Sequence, residues 1–241
     1  MTRRQPRCVD HPADWHLDHI RQGRGFTLTR WGDSEILSIC GVRRKPNKDG
    51  MPFTEDASIA LRQSLLEAAR SPEAEHFIAV EPAWADRTDE LGDRVHRVYD
   101  NFDLYDRELH HACAFHALGV AGRMHEAVAE FQKHPFLVAG PEFYFKITHK
   151  LKCTQFFLTG HGVWGRRREV LADLQQALRP LREPAVVLVA ASLAANWIVC
   201  ELYKEFGTSH FLLDWGSAFD PYCGRLSRSY FTNHPEVRWE L

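Results

Sequence analysis

Arg30-Trp31-Gly32-Asp33-Ser34-Glu35 sets two carboxylates one residue apart, just after an arginine and a glycine. Such a pair can share one hard divalent cation. Mg²⁺ and Mn²⁺ take oxygen ligands and commonly use one or two protein carboxylates plus substrate phosphates. Arg30 could grip a phosphate with two parallel hydrogen bonds, and Gly32 would let the backbone approach a ligand closely. An ordinary helix start explains the same residues, with Asp33 as the N-cap and Glu35 as a first-turn carboxylate favoured by the helix dipole. Spacing alone favours that plainer reading.

Other segments carry weaker chemical content. Thr159-Gly160-His161-Gly162-Val163-Trp164-Gly165-Arg166 surrounds a histidine and a tryptophan with glycines. There His161 could touch phosphate or act as a base, and Trp164 could stack on a base or sugar. A tight turn with a surface aromatic is the alternative. Arg166-Arg167-Arg168 could meet phosphates at a helix start, although a solvated charged face is the commoner meaning of such a run. His110, His111 and His116 lack the spacing of a metal motif and read as surface or core histidines. Ser192 follows an apolar run without the glycines of a nucleophile elbow. No G-x-G-x-x-G and no G-x-x-x-x-G-K-[ST] occurs, so classical dinucleotide and P-loop readings have no local support.

The elements that must position these residues alternate. Strands are expected at residues 25–31, 76–80, 112–118, 136–139, 154–159, 185–191 and 210–215. Helices are expected at 33–40, 55–70, 87–105, 123–134, 142–151, 167–178 and 193–206, the last stopped by Gly207. Residues 185–191 (AVVLVAA) form a continuous apolar run, as a strand buried on both faces requires. Such alternation implies an α/β fold, a Rossmann-like, mostly parallel sheet flanked by helices. Ligands bind beyond the carboxyl ends of such strands, which singles out the loops after Arg30, Thr159, Ala191 and Asp214. Residues 41–52, with Pro46, Asn47, Asp49 and Gly50, read as a surface loop able to act as a lid.

The 241 residues suit a single domain, taken here as residues 1–241. Formal net charge is −2, so the overall field favours neither nucleic acid nor anionic membranes. Basic residues cluster locally at Arg3, Arg4 and Arg7, at Arg43-Arg44-Lys45 and at 166–168. None of the six cysteines forms a C-x-x-C pair, and several sit in apolar runs, as small buried hydrophobes in a reducing compartment would. Neither a signal peptide nor a membrane-length apolar stretch is visible, and the expected location is cytoplasmic.

Residues 25–35, GFTLTRWGDSE, resemble the opening signature of the GT-D glycosyltransferase family, a strand followed by R-[aromatic]-G-D-G-E. This chain has Ser34 where the family usually has Gly. The strand and small-residue turn through Ser192-Leu193-Ala194-Ala195 resemble the family's later segment. Leu212–Tyr222, with Asp214, Gly216 and Asp220, resembles its closing D-x-G-x-x-x-D pattern, with Ser217 where His often stands. The resemblance implies a glycosyltransferase of hexosyltransferase type. It assigns Asp33 and Glu35 to Mn²⁺ or Mg²⁺ and to the diphosphate of a nucleotide sugar, with Arg30 in support. The residue readings above add Gly32, His161 and Trp164 as donor-binding candidates, and the resembling later segments add Ser192 and Asp214.

Sugar transfer from a nucleotide diphosphate needs a stabilised leaving phosphate and, in an inverting enzyme, a base for the acceptor hydroxyl. Asp220 and Asp214 are base candidates. Asp220-Pro221 fits an Asx-type turn equally well, and Asp214 also reads as the plain end of a strand. A UDP-sugar comes first among donors, and a glycan or glycosylated protein first among acceptors. Other readings stay open: a hydroxymethylated base in nucleic acid as acceptor, motivated by the basic clusters; a metal-dependent phosphoesterase; and a non-catalytic nucleotide-sugar-binding module.

Overall fold

Apolar runs and amphipathic stripes alternate along the chain, and their burial builds one sheet with helices on both faces. The computed structural model describes residues 4–9, 12–42, 53–81, 83, 86–226 and 228–241. Among them lie eight strands: β1 (Cys8–Val9), β2 (Phe26–Trp31), β3 (His76–Val80), β4 (Leu109–His111), β5 (Phe136–Gly140), β6 (Gln155–Leu158), β7 (Val186–Val189) and β8 (Phe211–Asp214). Their order is β1-β4-β3-β2-β8-β7-β5-β6, and every neighbouring pair is parallel. Strands β3, β5, β7 and β8 bury every residue, as strands covered on both faces do.

One apolar layer packs α2 (Asp33–Ile39), α3 (Glu55–Arg70), α4 (Glu90–Asn101), α8 (Val163–Leu178) and α9 (Ala194–Phe206) on the sheet. The other packs α1 (Ala13–Arg21), α5 (Ala114–Val120), α6 (Met124–Phe131) and α7 (Thr148–Leu151) on the opposite face. Local chemistry explains these helices. In α3 the Thr54 hydroxyl accepts the Ala57 N–H at 3.1 Å, and Ala57, Leu61, Leu65 and Ala68 make a buried stripe. Helix α9 stops at Gly207, whose φ is +54°.

The expected α/β class therefore holds, with local corrections. Residues 112–118 are not a strand: β4 ends at His111 and α5 begins at Ala114. A short apolar run fits either element, and periodicity does not separate them. The helix expected at 142–151 splits into a 3₁₀ turn, Glu142–Lys146, and α7, because Ile147 between them lies at φ −115°. The expected lid at 41–52 and the basic cluster Arg43-Arg44-Lys45 lie mostly outside the described residues, as does Arg3. No helix among the described residues is long and apolar enough to cross a membrane.

One feature of the sheet prepares the site. β2 pairs with β8 only over Phe26–Leu28 but runs beside β3 through Trp31. Beyond Leu28, β2 and β8 part. The chain leaving β2 turns toward the α2 face, and the chain leaving β8 turns toward the other face. A crevice between strands whose connections diverge is where open α/β sheets bind ligands.

Candidate functional site

Where β2 and β8 part, the Arg30 backbone would lose its ladder partners. Asn196 of α9 supplies them: its Oδ1 accepts the Arg30 N–H at 3.0 Å, and its Nδ2 donates to the Arg30 carbonyl at 2.6 Å. Asn196 is fully buried, so both amide ends need these partners. The Arg30 side chain is held as well. Its Nε donates to the Ala112 carbonyl at 2.6 Å, and its guanidinium lies against Gly216. A Cβ at residue 216 would fall 1.7 Å from Arg30 Nη1, and φ there is +53°, so only glycine fits on both counts.

Three carboxylates gather around Arg30. Asp33 opens α2 and is exposed, with its Oδ1 accepting the Ser34 N–H at 2.8 Å. Gly32 holds the cap position and no side chain caps the helix, so the N-cap role expected of Asp33 is not observed. Glu35 faces back onto Gly32, where a Cβ would come 3.1 Å from Glu35 Oε2. Burial, then the nearby Asp214 and Asp33 charges, push the Glu35 carboxyl up to about 7 against the pull of Arg30. Burial likewise raises Asp214 to about 6, opposed by Arg30 and by the Gly216 N–H, which donates to Asp214 Oδ1 at 3.0 Å. Crowded, desolvated carboxyls of this kind are what a hard cation would neutralise. The donor set is oxygen only, as Mg²⁺ or Mn²⁺ requires.

Asp220 sits after β8 and is buried. Tyr144 donates its hydroxyl to Asp220 Oδ1 at 3.0 Å. The side chain does not cap the following 3₁₀ turn, Pro221–Cys223, so the Asx-turn alternative is not what forms. Tyr144 reaches this place because Gly140 yields space: a Cβ there would lie 2.6 Å from the Tyr144 ring. Burial and the Asp220 carboxylate hold the Tyr144 phenol well above its ordinary pKa, so it remains a donor. Ser217 Oγ lies 3.5 Å from His116 Nε2, and burial holds that imidazole well below its usual pKa.

Arg30, Asp33, Glu35, Asp214, Tyr144, Ser217 and Asp220 line one cavity of about 1120 Å³ at the carboxyl edge of the sheet. All four loops singled out by sequence contribute to it: Arg30 to Glu35, Thr159 to Val163, Ala190 to Ser192, and Asp214 to Asp220. His161 and Ser192 are both on its wall. Ser192 has φ +49°, an uncommon left-handed conformation for a residue with a side chain. Trp164 is the exception. It does not line the cavity but lies in the core, 7% exposed, donating its indole N–H to Asp56 Oδ2 at 2.8 Å. Helix α8 begins at Val163, which turns the tryptophan inward rather than leaving it on a loop. The arginine run is also partly spent. Arg166 pairs with Glu169 at 2.9 Å, and Arg167 pairs with Asp56 at 3.1 Å while lying over the Trp164 ring.

The cavity is also lined by residues that sequence reasoning passed over: Phe143, Lys146, Arg225 and Arg228. Arg225 lies 4.1 Å from the centre of the Phe143 ring, and Lys146 Nζ donates to the Cys223 carbonyl at 3.4 Å. Asn196 and Tyr144 were also missed. Asn196 had a visible signal, a lone amide on the apolar face of Ala194–Val199, since a buried amide must find partners. Tyr144 had none, because the helix expected there did not place it.

No protein-family model matches the sequence, and no curated protein sequence matches it. Three solved structures share the fold. One is a selenomethionine-substituted structure of domain of unknown function 1792, at TM-score 0.63 and 12% identity, covering 98% of this chain and 92% of that one. A second, of the same domain and described as having a distinct glycosyltransferase fold, aligns at TM-score 0.62 and 12% identity with the same coverage. A third, described as a new glycosyltransferase of this domain type from Streptococcus sanguinis, aligns at TM-score 0.63 and 14% identity over 90% of this chain and 84% of that one. At these identities the likeness is one of fold.

Proposed function

We propose that the chain is a metal-dependent glycosyltransferase. In this reading it moves a sugar from a nucleotide-sugar donor, a UDP-sugar first, to a hydroxyl on a glycan or glycosylated protein. The observation that carries it is the convergence of Asp33, Glu35, Asp214 and Arg30 at the crevice between β2 and β8. The domains sharing the fold, two of them described as a glycosyltransferase or as having such a fold, support the choice of chemistry.

Asp33 and Glu35 would hold Mn²⁺ or Mg²⁺, an ion that supplies Lewis-acid stabilisation of the departing diphosphate. Two carboxylates would leave the ion's remaining positions to phosphate oxygens and water. Arg30, braced by Ala112 and Gly216, directs positive charge to the same place without reorganising. Asp214 keeps Arg30 and the Gly216 turn in register. His161 and Ser192 flank the donor side. Asp220, oriented by Tyr144, is the base that takes the acceptor hydroxyl proton. The ion pairs made by Arg166 and Arg167 leave less basic surface for a nucleic-acid acceptor.

Nucleotide release from a panel of UDP-, GDP- and CMP-sugars, with and without Mn²⁺, tests the proposal. Cation-dependent release from one donor class is expected. Cleavage of simple phosphodiesters with no response to any nucleotide sugar would overturn it in favour of a phosphoesterase. Binding of a nucleotide sugar without turnover, whatever the acceptor, would leave a binding module.

A further inference from the structure

Glu81 follows β3, and His111 and Cys113 stand at the end of β4, one strand further from the crevice. The β3–β4 register sets Val80 beside His111, which brings the residues just beyond these strand ends together. One donor atom from each of Glu81, His111 and Cys113 lies within 4.8 Å of the other two, and all three residues are half-buried. Cys113 Sγ is 3.7 Å from Glu81 Oε2, and the Cys113 N–H donates to His111 Nδ1 at 3.0 Å. Glu81 and Cys113 also line the large cavity. The sugar-transfer chemistry uses none of the three.

The donor set decides which cation suits this place. A thiolate and an imidazole are softer ligands than carboxylates and favour Zn²⁺ over Mg²⁺ or Mn²⁺. Three protein ligands fill three corners of a tetrahedron and leave the fourth to water or substrate. We propose that Glu81, His111 and Cys113 form a second cation site, of Zn²⁺ type, on the wall of the cavity and separate from Asp33 and Glu35.

Coordination balances simply. The Cys113 thiol releases one proton to solvent as its sulfur–metal bond forms. His111 gives its Nδ1 lone pair, exchanging the hydrogen bond from the Cys113 N–H for a coordinate bond and keeping its proton on Nε2. Glu81 gives one carboxylate oxygen. The two anionic ligands then match the two positive charges of the ion. The site also touches the crevice directly: burial pushes the Cys113 thiol up, opposed by the Arg30 side chain that lies against it. Ala112, between the two β4 ligands, is the residue whose carbonyl accepts the Arg30 Nε–H. A cation bound there ties β3 to β4 and stiffens the support of Arg30.

Co²⁺ serves as the probe, because a cobalt–thiolate bond gives a near-ultraviolet charge-transfer band and tetrahedral cobalt gives strong visible bands. Titrating the full chain should develop both at one equivalent, and Zn²⁺ should bleach them. Cys113→Ser should abolish the charge-transfer band, and Glu81→Gln, which keeps the thiol, should weaken Co²⁺ binding at least about tenfold. Asp33→Ala should keep the band whether or not the chain transfers sugar, so failure of one proposal is distinguishable from failure of the other. No thiolate band at one equivalent, or a band that survives Cys113→Ser, overturns the site. Loss of the band in Asp33→Ala does so too, as it would mean one shared centre. Should Cys113→Ser fail to fold, unchanged Co²⁺ affinity in Glu81→Gln overturns it on its own.

Discussion

The two walls of the large cavity are built in opposite ways. On the crevice side Arg30 and Asp214 are tied down: Asn196 brackets the Arg30 backbone, Ala112 and Gly216 hold its guanidinium, and the Gly216 N–H fixes Asp214. Another part of the lining rises from short 3₁₀ turns, Glu142–Lys146 and Pro221–Cys223. It presents Arg225 on the Phe143 ring and leaves Phe145 53% exposed. Charge that must stabilise a departing diphosphate works best when it is preorganised. Recognition of varied acceptors tolerates, and uses, a looser surface. Under the proposed function, the contrast would assign the donor to the rigid wall and the acceptor to the adaptable one.

Substitutions on the two walls should differ in size and in kind. Asp33→Ala removes a proposed cation ligand and should lower cation-dependent sugar transfer about 10³-fold, or roughly 4 kcal/mol. A drop of less than tenfold in kcat/KM would break the assignment of the chemistry to the crevice. Asn196→Leu leaves the Arg30 N–H and C=O without their partners and should cost about 2–4 kcal/mol in urea unfolding. A cost near zero would mean that the ladder beyond Leu28 closes by itself.

Titration sharpens the comparison next. Glu35 near 7 and Asp214 near 6 lie above their ordinary values of 4.5 and 3.8, so the fold favours the protonated forms. That contribution is complete below about pH 4 and is lost as pH rises through 6 and 7. Without added cation the chain should melt at a lower temperature at pH 8 than at pH 5. Glu35→Gln should recover up to about 3 kcal/mol at pH 8, and Mn²⁺ should narrow the gap in the unsubstituted protein. A melting temperature that rises from pH 5 to pH 8 would contradict the crowding of these carboxyls.

Smaller effects belong to the other wall. Tyr144→Phe removes one hydrogen bond to Asp220 and should cost about 1–2 kcal/mol in kcat, with the donor KM unchanged. Arg225→Ala removes an exposed charge worth about 0–1 kcal/mol. It should raise the acceptor KM a few-fold and leave donor hydrolysis intact. Equal effects of Arg225→Ala on donor and acceptor kinetics would erase the division between the walls.

The sheet was legible because its signal is repetitive: apolar runs such as 185–191 and helical stripes such as 55–70 each admit one solution in an alternating chain. The four cavity-lining loops followed from the alternation of strands and helices and from the rule that ligands bind beyond the carboxyl ends of the strands. What escaped were contacts between distant segments. Nothing near Arg30 in sequence announces Asn196, and nothing near Asp220 announces Tyr144, because the partners meet only through tertiary packing. Trp164 misled for a related reason. Its glycine-rich surroundings suggested a loop, whereas α8 begins one residue earlier and buries it.

The place of β8 in the sheet has a consequence for how the protein comes into being. The last strand in the chain lies in the middle of the sheet, between β2 and β7. A ribosome that has delivered everything through α9 has therefore made both halves of the sheet but not the piece that joins them. Until β8 inserts, β2 and β7 each present an unpaired inner edge, the kind of surface that invites wrong pairing with other chains. Asp214 and Asp220 arrive with that same strand and the turn after it, so the insertion that seals the sheet also completes the pocket. Closing the sheet and completing the pocket become one step.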